Sequence, residues 1–129
     1  MKNKEFINII LKEVFFSQKN INLERFCDLE IDKTRNIIRN IKKIFNKLDE
    51  KEKETFLLYL NINTDETISS ILSIVDQWGG GYYDDGKYND GHFELYYVSD
   101  EEGKYSYRVD EDSTSLFLEK MEEINENKG

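Results

Sequence analysis

The sequence predicts an α+β fold. An N-terminal bundle of four or five helices is packed with a C-terminal antiparallel β-hairpin or three-stranded sheet, and a final helix closes the chain. Three observations carry this expectation. Apolar residues recur at intervals of three and four from Phe6 to Trp78. The interval drops to two between Phe93 and Val109, the period of a strand. It returns to three and four from Phe117 to Ile124. With 129 residues and no flexible linker, one domain spanning 1–129 is expected.

The first helix is expected from about Lys4 to Ser17. Phe6, Ile10 and Val14 form one stripe, and Ile7, Leu11 and Phe15 a second beside it, widened by Ile9 and Phe16. Asn22 is placed to cap a short helix carrying Leu23, Phe26 and Cys27. A third helix opens at Asp32, with Ile37, Ile38, Ile41, Ile44, Phe45 and Leu48 as its core-facing set. Its other face is basic: Lys33, Arg35, Arg39, Lys42, Lys43 and Lys47. Asp49 with Glu52 three residues on has the spacing of a capping box and starts a new helix with Phe56, Leu57, Tyr59 and Leu60. Asn63 and Glu66 repeat that spacing, so a further helix is expected through Ile68, Ile71, Leu72, Val75 and Trp78, ended by Gly79-Gly80-Gly81.

Beyond the glycines, residues 92–98 and 104–110 read as an antiparallel pair. Phe93, Leu95 and Tyr97 alternate with Glu94 and Tyr96, while Tyr105, Tyr107 and Val109 alternate with Ser106 and Arg108. Ser99–Gly103 is a loop of hairpin length with glycine at its end. A third strand near 80–84 would join through the polar loop 84–91. Two strands alone are marginal, so the pair is expected to pack on the helices, with Tyr97, Tyr105 and Tyr107 covering them. Asp112 or Ser113 caps the last helix, which turns Phe117, Leu118, Met121 and Ile124 inward and Glu119, Glu122, Glu123 and Glu126 outward.

The apolar fraction of 38% suffices for a core, and no stretch approaches the ~20 apolar residues of a membrane span. The net charge of −9 is unevenly placed. Residues 1–78 hold thirteen acidic and thirteen basic side chains, whereas residues 79–129 hold fourteen and five. Such a field repels nucleic acid and anionic lipid and attracts a basic partner. The basic face of the helix 32–48 is therefore read as solvated, or as facing the chain's own acidic half, rather than as a DNA-reading element. The single cysteine, Cys27, excludes an internal disulfide and a CxxC metal site, and its helix position predicts a buried, inert thiol. A cytoplasmic setting follows as the expectation.

No catalytic residue is assigned. His92 is the single histidine, which leaves no room for a two-histidine zinc site and makes a Ser-His-Asp or Cys-His arrangement minimal at best. The glycine run follows a helix rather than a strand, the wrong setting for a phosphate loop. Asp84, Asp85, Asn89, Asp90 and Glu94 are hard oxygen donors, but Gly86 and Gly91 miss the register of a calcium loop. No metal and no cofactor are expected.

Protein recognition remains. Seven of the eight tyrosines lie between Gly79 and Asp112, interleaved with carboxylates. Tyrosine supplies rigid contact area with a polar tip, and rim carboxylates steer a basic target. The expected partner-binding residues are Tyr82, Tyr83, Asp84, Asp85, Tyr88, Asp90, Glu94, Tyr96, Asp100, Glu101 and Glu102. The expectation is a small acidic inhibitor acting as a monomer or dimer on a basic protein, without direct nucleic-acid or membrane binding. In size, acidity and lack of catalytic residues the chain is similar to bacterial immunity proteins as a general group, which neutralise a cognate basic nuclease toxin. No motif places it in a named family. The alternative is a nucleic-acid mimic, encoded by a phage or plasmid against a host defence enzyme, which calls for carboxylates spaced like phosphates and few exposed aromatics.

Overall fold

The computed structural model describes residues 2–27, 35–76 and 93–126. Helix α1 (Asn3–Ile10) runs through a π-helical stretch (Leu11–Phe16) into α2 (Ser17–Cys27). Then come α3 (Asn36–Phe45), the long α4 (Glu50–Asp76), strands β1 (Tyr96–Val98) and β2 (Ser106–Arg108), and α5 (Ser113–Glu126). Four helices thus precede an antiparallel pair and a closing helix, the α+β class expected. Their contacts divide the chain into two compact units, Met1–Leu11 with Asp65–Gly129, and Lys12–Thr64.

The predicted break between the first two helices does not occur. Asn22 lies inside a continuous helix, buried, and receives a hydrogen bond from Gln18 Nε2 at 3.1 Å. Where a polar side chain finds a partner one turn away, it need not end the helix. Ile7, Leu11 and Phe15 are buried at intervals of four. Leu11 and Phe15 both lie in the π-helical stretch, whose wider turn takes four residues to slightly less than one full turn. Val14, expected in the stripe with Phe6 and Ile10, is exposed, as are Ile9 and Phe16, expected to widen the apolar face.

The unit Lys12–Thr64 is centred on three aromatic rings. Phe26 of α2, Phe45 of α3 and Phe56 of α4 stand with centroids 5.1–5.5 Å apart, in edge and tilted contacts that suit the ring quadrupoles. Lys53 Nζ lies 5.6 Å from the Phe45 centroid. The start of α4 is the capping box expected: Asp49 N–H donates to Glu52 Oε1 at 2.9 Å, and Glu52 N–H to Asp49 Oδ1 at 2.8 Å. The second box does not form, because α4 continues unbroken past Asn63 and Glu66. The Thr64 hydroxyl donates to the Leu60 carbonyl at 3.1 Å within the continuing helix.

In the other unit α1 packs on α5, and Ile7, Leu11, Ile68, Leu72, Val109, Phe117 and Met121 are buried, Phe117 completely. Leu118, expected inward, is exposed. Neither Asp112 nor Ser113 caps α5 with its own side chain. Asp112 sits just outside at φ 56°, a left-handed conformation that aspartate tolerates. The cap comes from the far end of α4, where Asp76 Oδ2 accepts the Thr114 N–H at 2.7 Å and the Ser113 hydroxyl at 3.1 Å. A carboxylate against the positive end of the α5 dipole is favourable, and this one also ties two helices together. The expected third strand and the glycine stop lie outside the described residues, as does Asp32.

Candidate functional site

The hairpin carries what the structure describes of the expected binding surface. Tyr96 pairs with Arg108, Tyr97 with Tyr107 and Val98 with Ser106. The ladder is extended by Val109 N–H to the Leu95 carbonyl and Ser99 N–H to the Tyr105 carbonyl, both 2.9 Å. The strands are shorter than the sequence alternation predicts. The turn between them holds Ser99, whose hydroxyl accepts the Glu101 N–H at 3.2 Å, and Gly103 at φ 85°, where a side chain would strain the backbone.

Side chains alternate across the pleat, so Tyr97, Tyr105 and Tyr107 share one face and Tyr96, Val98 and Arg108 the other. Tyr105 touches both other rings of the first face, with centroids 6.5 Å apart for Tyr97–Tyr105 and 5.2 Å for Tyr105–Tyr107. They were expected to cover helices. Instead Tyr96, Tyr97, Tyr105 and Tyr107 are 49%, 37%, 43% and 45% exposed. Both faces of the hairpin present tyrosine to solvent, so alternation here does not separate an inner from an outer side.

The hairpin is anchored at its base by Asp110, which is 1% exposed. Its Oδ1 accepts the Leu95 N–H at 2.9 Å and Arg108 Nε at 3.0 Å, and its Oδ2 accepts Arg108 Nη2 at 3.1 Å. Burial pushes this carboxyl up, but the Arg108 guanidinium and the Leu95 amide outweigh it and hold the group below the usual carboxylate range. Arg108 Nη1 also lies 3.4 Å from Glu94 and 3.6 Å from Glu111. Its hydrogen bond to Asp110 raises the guanidinium further, against a desolvation that lowers it, so its charge is permanent and shared among three carboxylates. The Tyr96 hydroxyl donates to Glu94 Oε2 at 3.2 Å. That bond, and then the Glu94 charge, raise the phenol above its ordinary value, so Tyr96 stays a neutral donor.

Of the expected binding residues, Glu94 and Tyr96 are thus brought into one network. Asp100, Glu101 and Glu102 stand exposed on the turn. Tyr82, Tyr83, Asp84, Asp85, Tyr88 and Asp90 lie outside the described residues, as do His92 and most of the candidate oxygen loop. Between Phe93 and Asp112 there are seven carboxylates against Lys104 and Arg108. Because Arg108 is already shared among carboxylates, the surface round the rings is strongly negative. Sequence reasoning missed Tyr97, Tyr105 and Tyr107 as surface residues and Arg108 as the cation shared by three carboxylates. The signal for Arg108 was present in its spacing, two residues before Asp110 and three before Glu111.

Elsewhere, Cys27 is exposed, which corrects the buried thiol expected. It is the last residue of α2, where the helix has passed the Phe26 contact with the aromatic core. Among the described residues no cluster of three or more His, Cys, Asp or Glu is arranged to hold a metal ion, and no helix is long and apolar enough to cross a membrane. No protein-family model matches the chain, and no curated protein or solved structure matches it either.

Proposed function

We propose that this protein is a small acidic inhibitor that binds a basic protein through the tyrosine-and-carboxylate surface of its hairpin. The reading we favour is a cytoplasmic immunity protein neutralising a basic nuclease toxin. One observation carries it: four tyrosines exposed on both faces of a short hairpin, ringed by carboxylates, with Arg108 shared internally. Large rings left in water on a well-anchored element supply the contact area of a binding hot spot, and unbalanced carboxylates speed the approach of a cationic partner. A nuclease is basic because it holds phosphate, so an acidic antagonist matches it electrostatically.

The test is affinity capture from the source cell with the full chain as bait, followed by binding kinetics on the captured protein. The reading requires a basic partner whose association slows with added salt. Capture of no partner, or of an acidic one, contradicts it.

A further inference from the structure

We infer that α3 is a docking element for an anionic membrane surface. This rests on the unit Lys12–Thr64 and not on the hairpin. The sequence reading assigned the isoleucines of α3 to the core, yet only part of that set is buried. Phe45 is buried against Phe26 and Phe56, whereas Ile37 and Ile44 are 58% and 62% exposed. Ile37 and Ile44, two turns apart, lie on one side of the helix, with the half-buried Ile41 between them. This side lies beside the Phe45 face rather than on it, since residues 44 and 45 are about 100° apart around the axis.

The same segment is purely cationic. Residues 35–48 hold Arg35, Arg39, Lys42, Lys43 and Lys47 and not one carboxylate. Arg35, Arg39, Lys43 and Lys47 are exposed and make no ion pair among the described residues. The charge of the unit that holds them differs from that of the whole chain. Residues 12–64 hold nine acidic and eleven basic side chains, a net of +2, while the remainder of the chain carries −11. At physiological ionic strength screening acts over ~8 Å, so these exposed cations respond mainly to charges close to them.

Exposed aliphatic side chains on one side of a helix whose remaining exposed surface carries arginine and lysine are the pattern of a helix that lies in a membrane interface. Two other anionic partners fit less well. A polyanion such as nucleic acid would use the cations but not the isoleucines. An acidic protein would need a larger surface, because ten helical residues span about 15 Å and a stable interface buries ~800 Å² per partner. That side of α3 also lacks the aromatic and methionine residues that protein interfaces favour. Insertion into a bilayer requires no matching shape and accumulates from a few side chains, giving weak, reversible attachment. This departs from the sequence-based expectation of no membrane binding, which rested on the lack of a spanning segment and on a negative field that repels anionic lipid.

The experiment is flotation of the full chain with vesicles of phosphatidylglycerol and phosphatidylcholine in equal parts, against vesicles of phosphatidylcholine alone, at physiological salt. The expected result is binding to the anionic vesicles only. Each of Arg39→Gln and Lys43→Gln weakens it about fivefold. Ile44→Asn and, independently, Ile37→Asn abolish it. Both isoleucines are mainly solvent-exposed, so thermal melts should stay cooperative; if one variant unfolds, the other decides. Absence of binding to anionic vesicles overturns the inference. So does equal binding to both vesicle types, binding undiminished by either asparagine variant, or tighter binding to random-sequence duplex RNA that both asparagine variants retain.

Discussion

Removing the Asp110 carboxylate would leave the Leu95 amide and two nitrogens of Arg108 without the acceptor they share. Asp110→Ala is expected to destabilise the fold by about 2 kcal/mol, the scale of hydrogen bonds to a charged group, moderated because Arg108 itself remains partly in water. The pH dependence has a definite sign. The folded carboxyl lies below its unfolded value, so its contribution is complete above the ordinary carboxylate range and is lost as the pH falls through the depressed folded value. Urea melts of wild type and Asp110→Ala at neutral and at strongly acidic pH should therefore converge as the acid limit is approached. A second residue behaves oppositely. The Thr114 hydroxyl is buried and has no hydrogen-bond partner among the described residues. Thr114→Val keeps the shape and removes the unsatisfied group, so the melting temperature should hold or rise. Cys27, exposed at the end of α2, should react stoichiometrically with a water-soluble thiol reagent under native conditions; protection until denaturation would contradict its placement.

Helix ends show what the sequence could and could not announce. Asp49 and Glu52 were legible as a start because both halves of the box lie within four residues, and Asp49→Ala is expected to cost about 1 kcal/mol in a thermal melt. Asn63 and Glu66 have the same spacing and no such role. Local spacing says only that a cap can form, and the buried Ile68 and Leu72 reward a helix that runs on. The cap of α5 was invisible, because its acceptor, Asp76, lies 37 positions before Ser113. Asp76→Ala should destabilise more than Asp49→Ala, since it also removes a link between α4 and α5; equal melts of the two variants would refute this. On the strands, alternation correctly gave an antiparallel pair within 92–98 and 104–110 but neither its register, Tyr97 opposite Tyr107, nor which face is covered. In a two-stranded element the pleat sorts side chains into two faces, and what lies against either face is decided by residues far away in the chain. The same limit applies to α3, where periodicity found the apolar arc but not which part of it Phe45 takes into the core.

At the scale of the whole molecule, the charge asymmetry read from the sequence, drawn between residues 1–78 and 79–129, follows the division of contacts only in part, because 1–11 and 65–78 belong with the acidic half. The unit containing the hairpin is strongly acidic, and the unit Lys12–Thr64 is slightly basic. With the hairpin proposed to meet a basic protein and α3 an anionic surface, opposite salt-sensitive contacts would belong to different parts of one chain. The central claim is the hairpin surface. It is tested most directly by the kinetics of the captured partner with two sets of variants. Glu101→Gln with Glu102→Gln should mainly slow association and flatten its salt dependence. Tyr96→Ala or Tyr107→Ala should mainly speed dissociation, costing about 2 kcal/mol of affinity, while the melt of the protein stays cooperative. Unchanged rates in both sets, with every variant folded, would contradict the account.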